Sequence, residues 1–258
     1  MYVQGAAFVN KFGLGEDKTH IPKTLIATKV RYVYVNVNIC SFITEKDELY
    51  VCGTLKPSLG HFDRPITVEK FTLWGENVAK SSFSYYHSGY ITNDGDCFMF
   101  GDNFDNCLLS SADSLLKPTF VMSEVQDISC YSDLDKRGWT GLVDYNNNLY
   151  IFGSIQGNQK NGSRLFENVT NFCLHKDAGI INKDNQVYIS FNLQNDPKFS
   201  EIYNIVAKNV YCFEKTFLVI DIDNTLILIQ EGNEPKIIAK NVESCSIGDD
   251  SEFVFITF

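Results

Sequence analysis

The sequence has no long hydrophobic run and little of the chemistry on which most catalytic sites depend. No apolar stretch in its 258 residues reaches the roughly 18–20 residues that a membrane-spanning helix needs. Its four histidines stand apart, without the spacing of a metal site. The eight cysteines include no Cys-x-x-Cys pair, which gives no support for a zinc site. We therefore expect no metal, no cofactor and no catalytic residues, with reduced cysteines buried as small apolar side chains.

Positive charge is also scarce. The chain carries 22 Lys and Arg against 32 Asp and Glu, a net charge of −10. Its densest basic cluster, Lys136-Arg137, directly follows Asp133 and Asp135. Because binding to a phosphate backbone needs several clustered cations, nucleic acid is an unlikely partner. An anionic membrane is also disfavoured, whereas a basic protein partner is compatible with this charge. With no basic leader segment in the sequence, we expect a cytoplasmic protein.

What the sequence does contain is a degenerate repeat of two apolar strands joined by a polar turn. The clearest copy runs over residues 90–103, with its turn at Asn93-Asp94-Gly95, and weaker copies run over 42–53, 142–153, 180–191 and 218–229. The closing glycines, including one near the start of the chain, are spaced by 48, 48 and 52 residues: Gly5, Gly53, Gly101 and Gly153. Such a period indicates a repeat architecture. An apolar residue about ten positions before each hairpin predicts a further strand there: Val30, Val78, Val125, Val169, Val206 and Val242.

The two ends of the chain carry complementary halves of one repeat. Residues 241–258 supply the first half, and residues 1–28 supply the second. A repeat split in this way favours a closed ring, because closure removes exposed sheet edges. The sequence thus predicts an all-β propeller with mostly four antiparallel strands per blade, six blades rather than seven, and a single domain over residues 1–258.

A family resemblance rests on particular residues. Tyr2-Val3-Gln4-Gly5, Asn10-Lys11-Phe12-Gly13-Leu14-Gly15 and Pro22 resemble the outer part of a regulator-of-chromosome-condensation repeat. The Gly95 turn with residues 98–103 is similar to its other half, and Pro65 and Pro118 stand where that repeat has its proline. The resemblance implies a β-propeller. It also implies guanine-nucleotide exchange on a small GTPase as a candidate activity, exerted through a wedge-shaped loop, for which residues 132–139 are the nearest match.

A second motif resembles the first motif of haloacid-dehalogenase-like phosphatases. In Phe217 to Leu226, that resemblance implies Asp221 as nucleophile and Asp223 as acid/base. Only 33 residues follow Thr225, too few for the remaining crossovers of a parallel α/β sheet, and no amphipathic helical pattern alternates with the strands. Residues 221–225 also align with the turn of the repeat, where Asp and Asn are favoured for local reasons. The sequence therefore favours a turn over a phosphatase site.

Three segments are longer than the repeat requires, and they carry the candidate binding residues. Residues 55–71 contain His61, Phe62 and Arg64, and residues 103–120 contain four leucines. Residues 132–139 contain Asp133, Asp135, Lys136, Arg137 and Trp139. Arg and Trp are common interface anchors; the alternative is that these are connecting loops, with Trp139 packed on a strand. We predict a non-catalytic scaffold or adaptor in a cytoskeletal or other large assembly, with a GTPase exchange factor as the alternative.

Overall fold

The described part of the chain is built almost wholly from β-strands. A computed structural model describes residues 2–7, 18–35, 39–55, 66–132, 137–153, 162–191, 193, 198–247 and 253–257. Among these residues the only helical segment is a short 3-10 turn, Phe104–Asn106, and no helix there is long or apolar enough to cross a membrane. The strands are β1 Tyr2–Ala7, β2 Lys18–Leu25, β3 Val30–Val35, β4 Ile39–Thr44, β5 Leu49–Leu55, β6 Ile66–Gly75, β7 Val78–Phe83, β8 His87–Thr92, β9 Cys97–Asp102, β10 Ser114–Met122, β11 Val125–Ser132, β12 Gly138–Asp144, β13 Leu149–Gly153, β14 Ser163–Phe166, β15 Val169–Leu174, β16 Ala178–Asn182, β17 Gln186–Ser190, β18 Ser200–Phe213, β19 Thr216–Asp221, β20 Leu226–Gln230, β21 Lys236–Ala239, β22 Val242–Ile247 and β23 Phe253–Thr257.

The strands form sheets in which each strand pairs with the next one along the chain. Three sheets have four strands, in the orders β3-β4-β5-β6, β7-β8-β9-β10 and β11-β12-β13-β14. The predicted four-stranded antiparallel sheets are therefore confirmed. The terminal strands form two two-stranded sheets, β1-β2 and β22-β23. Their union in one closing blade stays a prediction, as do the count of six blades and the single domain over residues 1–258.

The chain divides into two compact units, residues 1–140 and 141–258. In the second unit one long strand serves two sheets. Residues 200–206 of β18 pair with β17, and residues 207–213 pair with β19, so a single seven-stranded sheet runs from β15 to β21. Between these halves the strand continues without interruption, whereas β6 and β7 are separate strands.

The second and third strands of each repeat differ in how they are buried. The second strand of each repeat is buried along nearly its whole length, as in β4, β8, β12, β16 and β19. The third strand alternates between buried and half-buried residues, as in β13. A strand that is covered on both faces has a continuous apolar sequence, whereas a strand covered on one face alternates. This difference explains why only one half of each hairpin reads as a pure apolar run.

Each unit has its own core between successive sheets. In the first unit, residues of β4, β5, β7 and β9, including Ile43, Val51 and Phe100, form one buried cluster. In the second unit, the corresponding cluster includes Val187, Val210 and Phe217. Apolar residues of one sheet thus pack on the first strand of the next sheet. Complete burial of a side chain of this size contributes about 1.5–3 kcal/mol, so the sheet-to-sheet contact is a major source of stability.

The predicted initial strands begin almost where the sequence placed them. Val30, Val78, Val125, Val169 and Val242 are the first residues of β3, β7, β11, β15 and β22. Val206 is the exception, because it lies inside β18 and is 44% exposed, whereas Ala207 is fully buried. The equivalent position in that repeat is therefore Ala207, one residue later than predicted.

The closing glycines mark a backbone conformation that other residues rarely adopt. Gly53, Gly101 and Gly153 have φ values of 115°, 109° and 115°. At Gly101, an added Cβ would lie 2.3 Å from the carbonyl oxygen of Tyr86 and 2.7 Å from the Cα of His87. Since both neighbours are backbone atoms of the paired strand, no side-chain movement could make room. The glycine at this position is thus required by the hairpin itself.

We expect Gly101→Ala to destabilise the protein by about 3 kcal/mol or more, because it combines an unfavourable φ with a backbone clash. Gly232→Ala is the matched control, since Gly232 has a φ of 77° and no atom within 4 Å of an added Cβ. Its cost should be about 1 kcal/mol, from the backbone alone. Urea unfolding of the two variants measures the difference, and equal losses would show that the Gly101 clash is relieved elsewhere.

Candidate protein interface

The predicted loop residues fall largely outside the described part of the chain. His61, Phe62 and Arg64 lie in residues 56–65, and Asp133, Asp135 and Lys136 lie in residues 133–136, none of which the structure describes. Their role in binding a partner stays a prediction. Arg137 is half-buried immediately before β12.

Trp139 is a core residue and not an exposed anchor. It lies in β12 with 0% of its surface exposed, and its ring packs on that of Tyr131 with the centroids 4.7 Å apart. The structure therefore agrees with the alternative in which Trp139 packs on a strand. The burial of Trp139 could not be predicted from the neighbouring residues, because the second strand of a repeat is buried on both faces and shows no alternation of apolar and polar residues.

The segment after β9 is held together by one side chain. The amide oxygen of Asn103 accepts a hydrogen bond from the backbone of Leu108 at 2.8 Å, and its nitrogen donates to the carbonyls of Ser110 and Ala112. Leu108 is fully buried, whereas Leu116 and Phe120 on β10 are 51% and 52% exposed. This segment is thus an ordered connection, with two exposed apolar side chains on the strand that follows it.

The hairpin turns, which the sequence analysis did not propose as binding residues, are held to the neighbouring repeats by a recurring hydrogen bond. In each of five repeats, a turn carbonyl accepts a hydrogen bond from the first residue of the next repeat's initial strand. We call this the turn-to-strand hydrogen bond. The five bonds are Val78 N to Asp47 O at 2.7 Å, Val125 N to Gly95 O at 3.0 Å, Val169 N to Asn147 O at 2.8 Å, Ala207 N to Asn185 O at 2.8 Å and Val242 N to Asn224 O at 2.9 Å.

The five accepting residues share one backbone conformation. All have positive φ, between 61° and 85°, which Gly, Asn and Asp tolerate better than other residues. The first side chain of each turn then caps it: for example, Asp144 Oδ1 accepts from the backbone of Asn146 at 2.9 Å and of Asn148 at 2.8 Å. Burial acts to raise the pKa of Asp144, but the hydrogen bonds from Asn148 and Asn146 outweigh it and the pKa lies below its usual value. The turns are therefore rigid and closely similar.

In the first unit, a polar network joins neighbouring turns. Asp47 accepts from Arg31 at 2.8 Å and from Asn93 at 3.0 Å. Asn93 also donates to Asn77 at 2.8 Å, and Asn77 donates to Asp94 at 2.6 Å. Two successive turns are thus in direct contact, with their polar groups bonded to each other.

In the second unit, the turns present different side chains to solvent. The second and third residues of each turn are exposed: Tyr145, Asn146, Lys183, Asp184, Ile222 and Asp223. We call these six residues the second turn surface. Tyr145 is 50% exposed and Ile222 is 54% exposed, although the equivalent positions elsewhere carry Glu45, Asn93 and Lys183. A large apolar side chain at a turn position that otherwise takes polar residues is the feature with most potential for binding.

Asp221 occupies the capping position of its turn. Its Oδ1 accepts from the backbone of Asp223 at 2.9 Å and of Thr225 at 2.7 Å, and Asn224 has a φ of 63°. Asp144 and Asn182 make the same bonds in their own turns. Because β19 belongs to an antiparallel sheet, the phosphatase motif lacks the parallel α/β sheet that it would need. The predicted turn is confirmed.

A buried polar chain surrounds His87 in the first unit. Its Nε2 lies 3.0 Å from Thr140 Oγ1, and Thr140 donates to the carbonyl of Cys107 at 2.7 Å. The Thr140 oxygen is therefore an acceptor for His87, which places the proton on Nε2. On the other side, Ser84 Oγ lies 3.3 Å from Nδ1 and accepts from Ser132 at 2.9 Å. Complete burial lowers the pKa of His87 to about 4, against a smaller opposing effect of a hydrogen bond with the Trp139 backbone.

Comparison with solved structures identifies the fold. No protein-family model matches the chain, and no curated protein matches its sequence. The crystal structure of human WBSCR16 superposes with a TM-score of 0.71 at 12% identity, covering 95% of this chain and 78% of that one. Prp20p from Saccharomyces cerevisiae gives 0.66 at 14% identity, covering 87% and 67%.

Yeast RCC1 (Prp20) bound to Kap60 gives a TM-score of 0.65 at 14% identity, covering 84% of this chain. The fold is an RCC1-like β-propeller. This confirms the fold predicted from the N-terminal and Gly95 motifs. The propeller described here spans only 63% of the yeast RCC1 chain in that complex, and at such low identity the likeness concerns the fold alone.

The capping role of Asp221 predicts a graded response to substitution. Asp221→Ala removes the acceptor of two backbone hydrogen bonds and should cost about 1–2 kcal/mol of stability. Asp221→Asn should cost much less, because Asn182 caps the equivalent turn of the propeller. Chemical denaturation measures both, and a phosphate-ester assay adds the functional control. Hydrolysis that requires Asp221 would revive the phosphatase interpretation.

His87 predicts a specific dependence of stability on pH. In the unfolded chain the His87 side chain has a pKa near 6.5, whereas in the folded protein its pKa is about 4. Its stabilising contribution is therefore complete above pH 6.5 and is lost as the pH falls towards 4. Between pH 7 and pH 4, we expect the wild-type propeller to lose about 3 kcal/mol more than His87→Gln. Urea titrations of both proteins test this, and parallel pH profiles would contradict a neutral, buried His87.

Proposed function

We propose that this propeller is a non-catalytic protein-interaction module, a scaffold or adaptor that binds a partner through the second turn surface. The observation that carries the proposal is the exposure of Tyr145 and Ile222, at 50% and 54%. Tyrosine and large apolar side chains that are exposed in the free protein supply much of the binding energy when a partner buries them. Neither side chain is needed for the turn-to-strand hydrogen bond, which uses backbone atoms of other turn residues.

The charge of the chain favours a partner with basic residues. The second turn surface places Asp184 and Asp223 beside the two apolar side chains, with Lys183 as its one cation, and the chain has a net charge of −10. Complementary charge raises association rates and discriminates between partners. The same balance disfavours nucleic acid and anionic lipid as ligands. We also propose a cytoplasmic location, including a cytoskeletal assembly, since all eight cysteines are free thiols.

The structural neighbours support a protein partner. Yeast RCC1 (Prp20) was solved bound to Kap60. The structure of the same protein, Prp20p, was reported together with its binding to Gsp1p and histones. At least one propeller of this fold therefore binds proteins. A second candidate function follows from the likeness to Prp20p and from the family resemblance of the sequence: nucleotide exchange on a small GTPase. The two candidates differ in their dependence on nucleotide, since an exchange factor binds its GTPase most tightly when the nucleotide is absent.

The test compares three forms of the tagged full-length protein. These are the wild type, the double variant Tyr145→Ser/Ile222→Ser, and the control Leu116→Ser/Phe120→Ser, which removes two equally exposed apolar side chains from β10. Each is used for quantitative affinity purification from native cytosol, with and without added guanine nucleotide. We expect the turn variant to lose at least about tenfold of the partner that the wild type and control retain, because two anchors together exceed 1.4 kcal/mol.

Two outcomes would contradict the proposal. Equal recovery by all three proteins would exclude the second turn surface. A small GTPase recovered only in nucleotide-free buffer would instead support the exchange factor, and an exchange assay would follow. Both variants should keep the urea midpoint of the wild type, because surface substitutions away from structural hydrogen bonds usually change stability by less than about 0.5 kcal/mol.

A further inference from the structure

In the second unit, β15 and the second half of β18 lie side by side in a fixed register. Asn171 Oδ1 accepts from the backbone of Val210 at 3.2 Å, and His175 Nδ1 accepts from the backbone of Glu214 at 3.4 Å. In both bonds the partners are 39 residues apart. Cys173 and Cys212 have the same separation and lie between these two bonds. The backbone register therefore places the two thiols opposite each other.

The side chains make the contact that this register requires. The Cys173 thiol is close enough to Cys212 to help raise the pKa of the Cys212 thiol, after the larger effect of burial, and Cys212 Sγ donates to the carbonyl of Asp177 at 3.8 Å. Both side chains pack at the margin of the same core cluster. Neither is fully buried, in contrast to Cys40, Cys52, Cys97, Cys107 and Cys130. The two residues of this neighbouring pair are thus less deeply buried than those five cysteines.

The equivalent place in the first unit shows what the pair replaces. Cys173 is the fifth residue of β15, and Ser82 is the fifth residue of β7. Cys130 is the sixth residue of β11, and Cys212 is the sixth residue counted from Ala207, so Cys130 and Cys212 are equivalent. Ser82 Oγ accepts a hydrogen bond from the backbone of Cys130 at 2.8 Å. At the position of Cys173, the first unit thus has a serine hydroxyl instead of a thiol. The facing thiols are therefore a local feature of the β15–β18 contact and not a demand of the repeat.

We propose that Cys173 and Cys212 are a redox modification site, which forms a disulfide between β15 and the second half of β18 on exposure to a two-electron oxidant such as a hydroperoxide. One S–S bond forms and two S–H bonds break. With hydrogen peroxide, the two electrons and two protons pass to the oxidant, whose O–O bond breaks to give two water molecules. A thiol reductant reverses the reaction by exchange through a mixed disulfide.

The disulfide would add a covalent link between β15 and the second half of β18. Ala207 donates the turn-to-strand hydrogen bond at the start of this half of β18, and Cys212 lies five residues further along. Oxidation would therefore fasten to β15 a strand that this bond already holds at its start to the turn between β16 and β17. Burial raises the pKa of the Cys212 thiol, and since the thiolate is the reactive form, the reaction requires sustained exposure to oxidant.

The experiment treats the folded full-length protein with hydrogen peroxide, blocks the remaining thiols with N-ethylmaleimide in denaturant, and maps disulfides by non-reducing proteolysis and mass spectrometry. We expect one dominant cross-linked peptide that joins Cys173 to Cys212 and disappears with dithiothreitol. It should be absent from Cys173→Ser and Cys212→Ser and retained in Cys245→Ser, whose side chain is near Cys173. The oxidised protein should also unfold at a higher urea concentration than the reduced protein.

Cys40 and Cys52 are the internal control. They face each other directly in β4 and β5, but both are 0% exposed, so both thiols should stay reduced. Absence of a Cys173–Cys212 peptide from oxidised, folded protein would overturn the proposal, and so would a dominant Cys173–Cys245 or Cys40–Cys52 bond. The mapping on wild-type protein decides the matter even if a serine variant folds poorly.

Discussion

The hydrogen bond from the start of one repeat to the turn of the previous one sets the arrangement of the sheets within each unit. It occurs five times, with N to O distances of 2.7–3.0 Å, and in each case the donor belongs to a buried apolar residue. Its net contribution is about 1 kcal/mol, but an unmade bond at a buried donor would cost up to about 3 kcal/mol. The bond therefore fixes the position of each initial strand, and the core packing follows from it.

This constraint explains the composition of the turns. The accepting residue must have positive φ, which selects Asp47, Gly95, Asn147, Asn185 and Asn224. The first turn residue must accept backbone hydrogen bonds, which selects Thr, Asp or Asn. Together these demands account for Asp221 and Asn224 in the phosphatase-like motif without any catalytic role. A motif that resembles a phosphoryl-transfer site is here the outcome of turn chemistry.

The sequence predicted the features that repeat and failed where one copy departs from the rest. Hairpins and initial strands were predictable because apolar runs, polar turns and buried valines recur with a period. The shared strand β18 was not predictable, since its two halves lie in one uninterrupted run. The predicted initial residue Val206 is wrong by one position, because the larger apolar residue of the pair Val206-Ala207 is the exposed one. For Trp139 the sequence leaves open an interface anchor or a packed strand residue, because a strand that is buried on both faces gives no alternating pattern. The second turn surface was missed because its residues belong to the turns, which were interpreted only as connections.

The positions that the hydrogen bonds leave unconstrained are where one copy can acquire a function that the others lack. The second and third residues of a turn point to solvent and contribute neither the accepting carbonyl nor the cap. They accordingly vary from Glu45 and Asn93 in the first unit to Tyr145 and Ile222 in the second. The fifth residue of an initial strand varies in the same way, from Ser82 to Cys173. The turn-to-strand hydrogen bond and the cap require neither the exposed apolar side chains of Tyr145 and Ile222 nor a thiol at residue 173. These are accordingly the places for which we propose binding and redox chemistry.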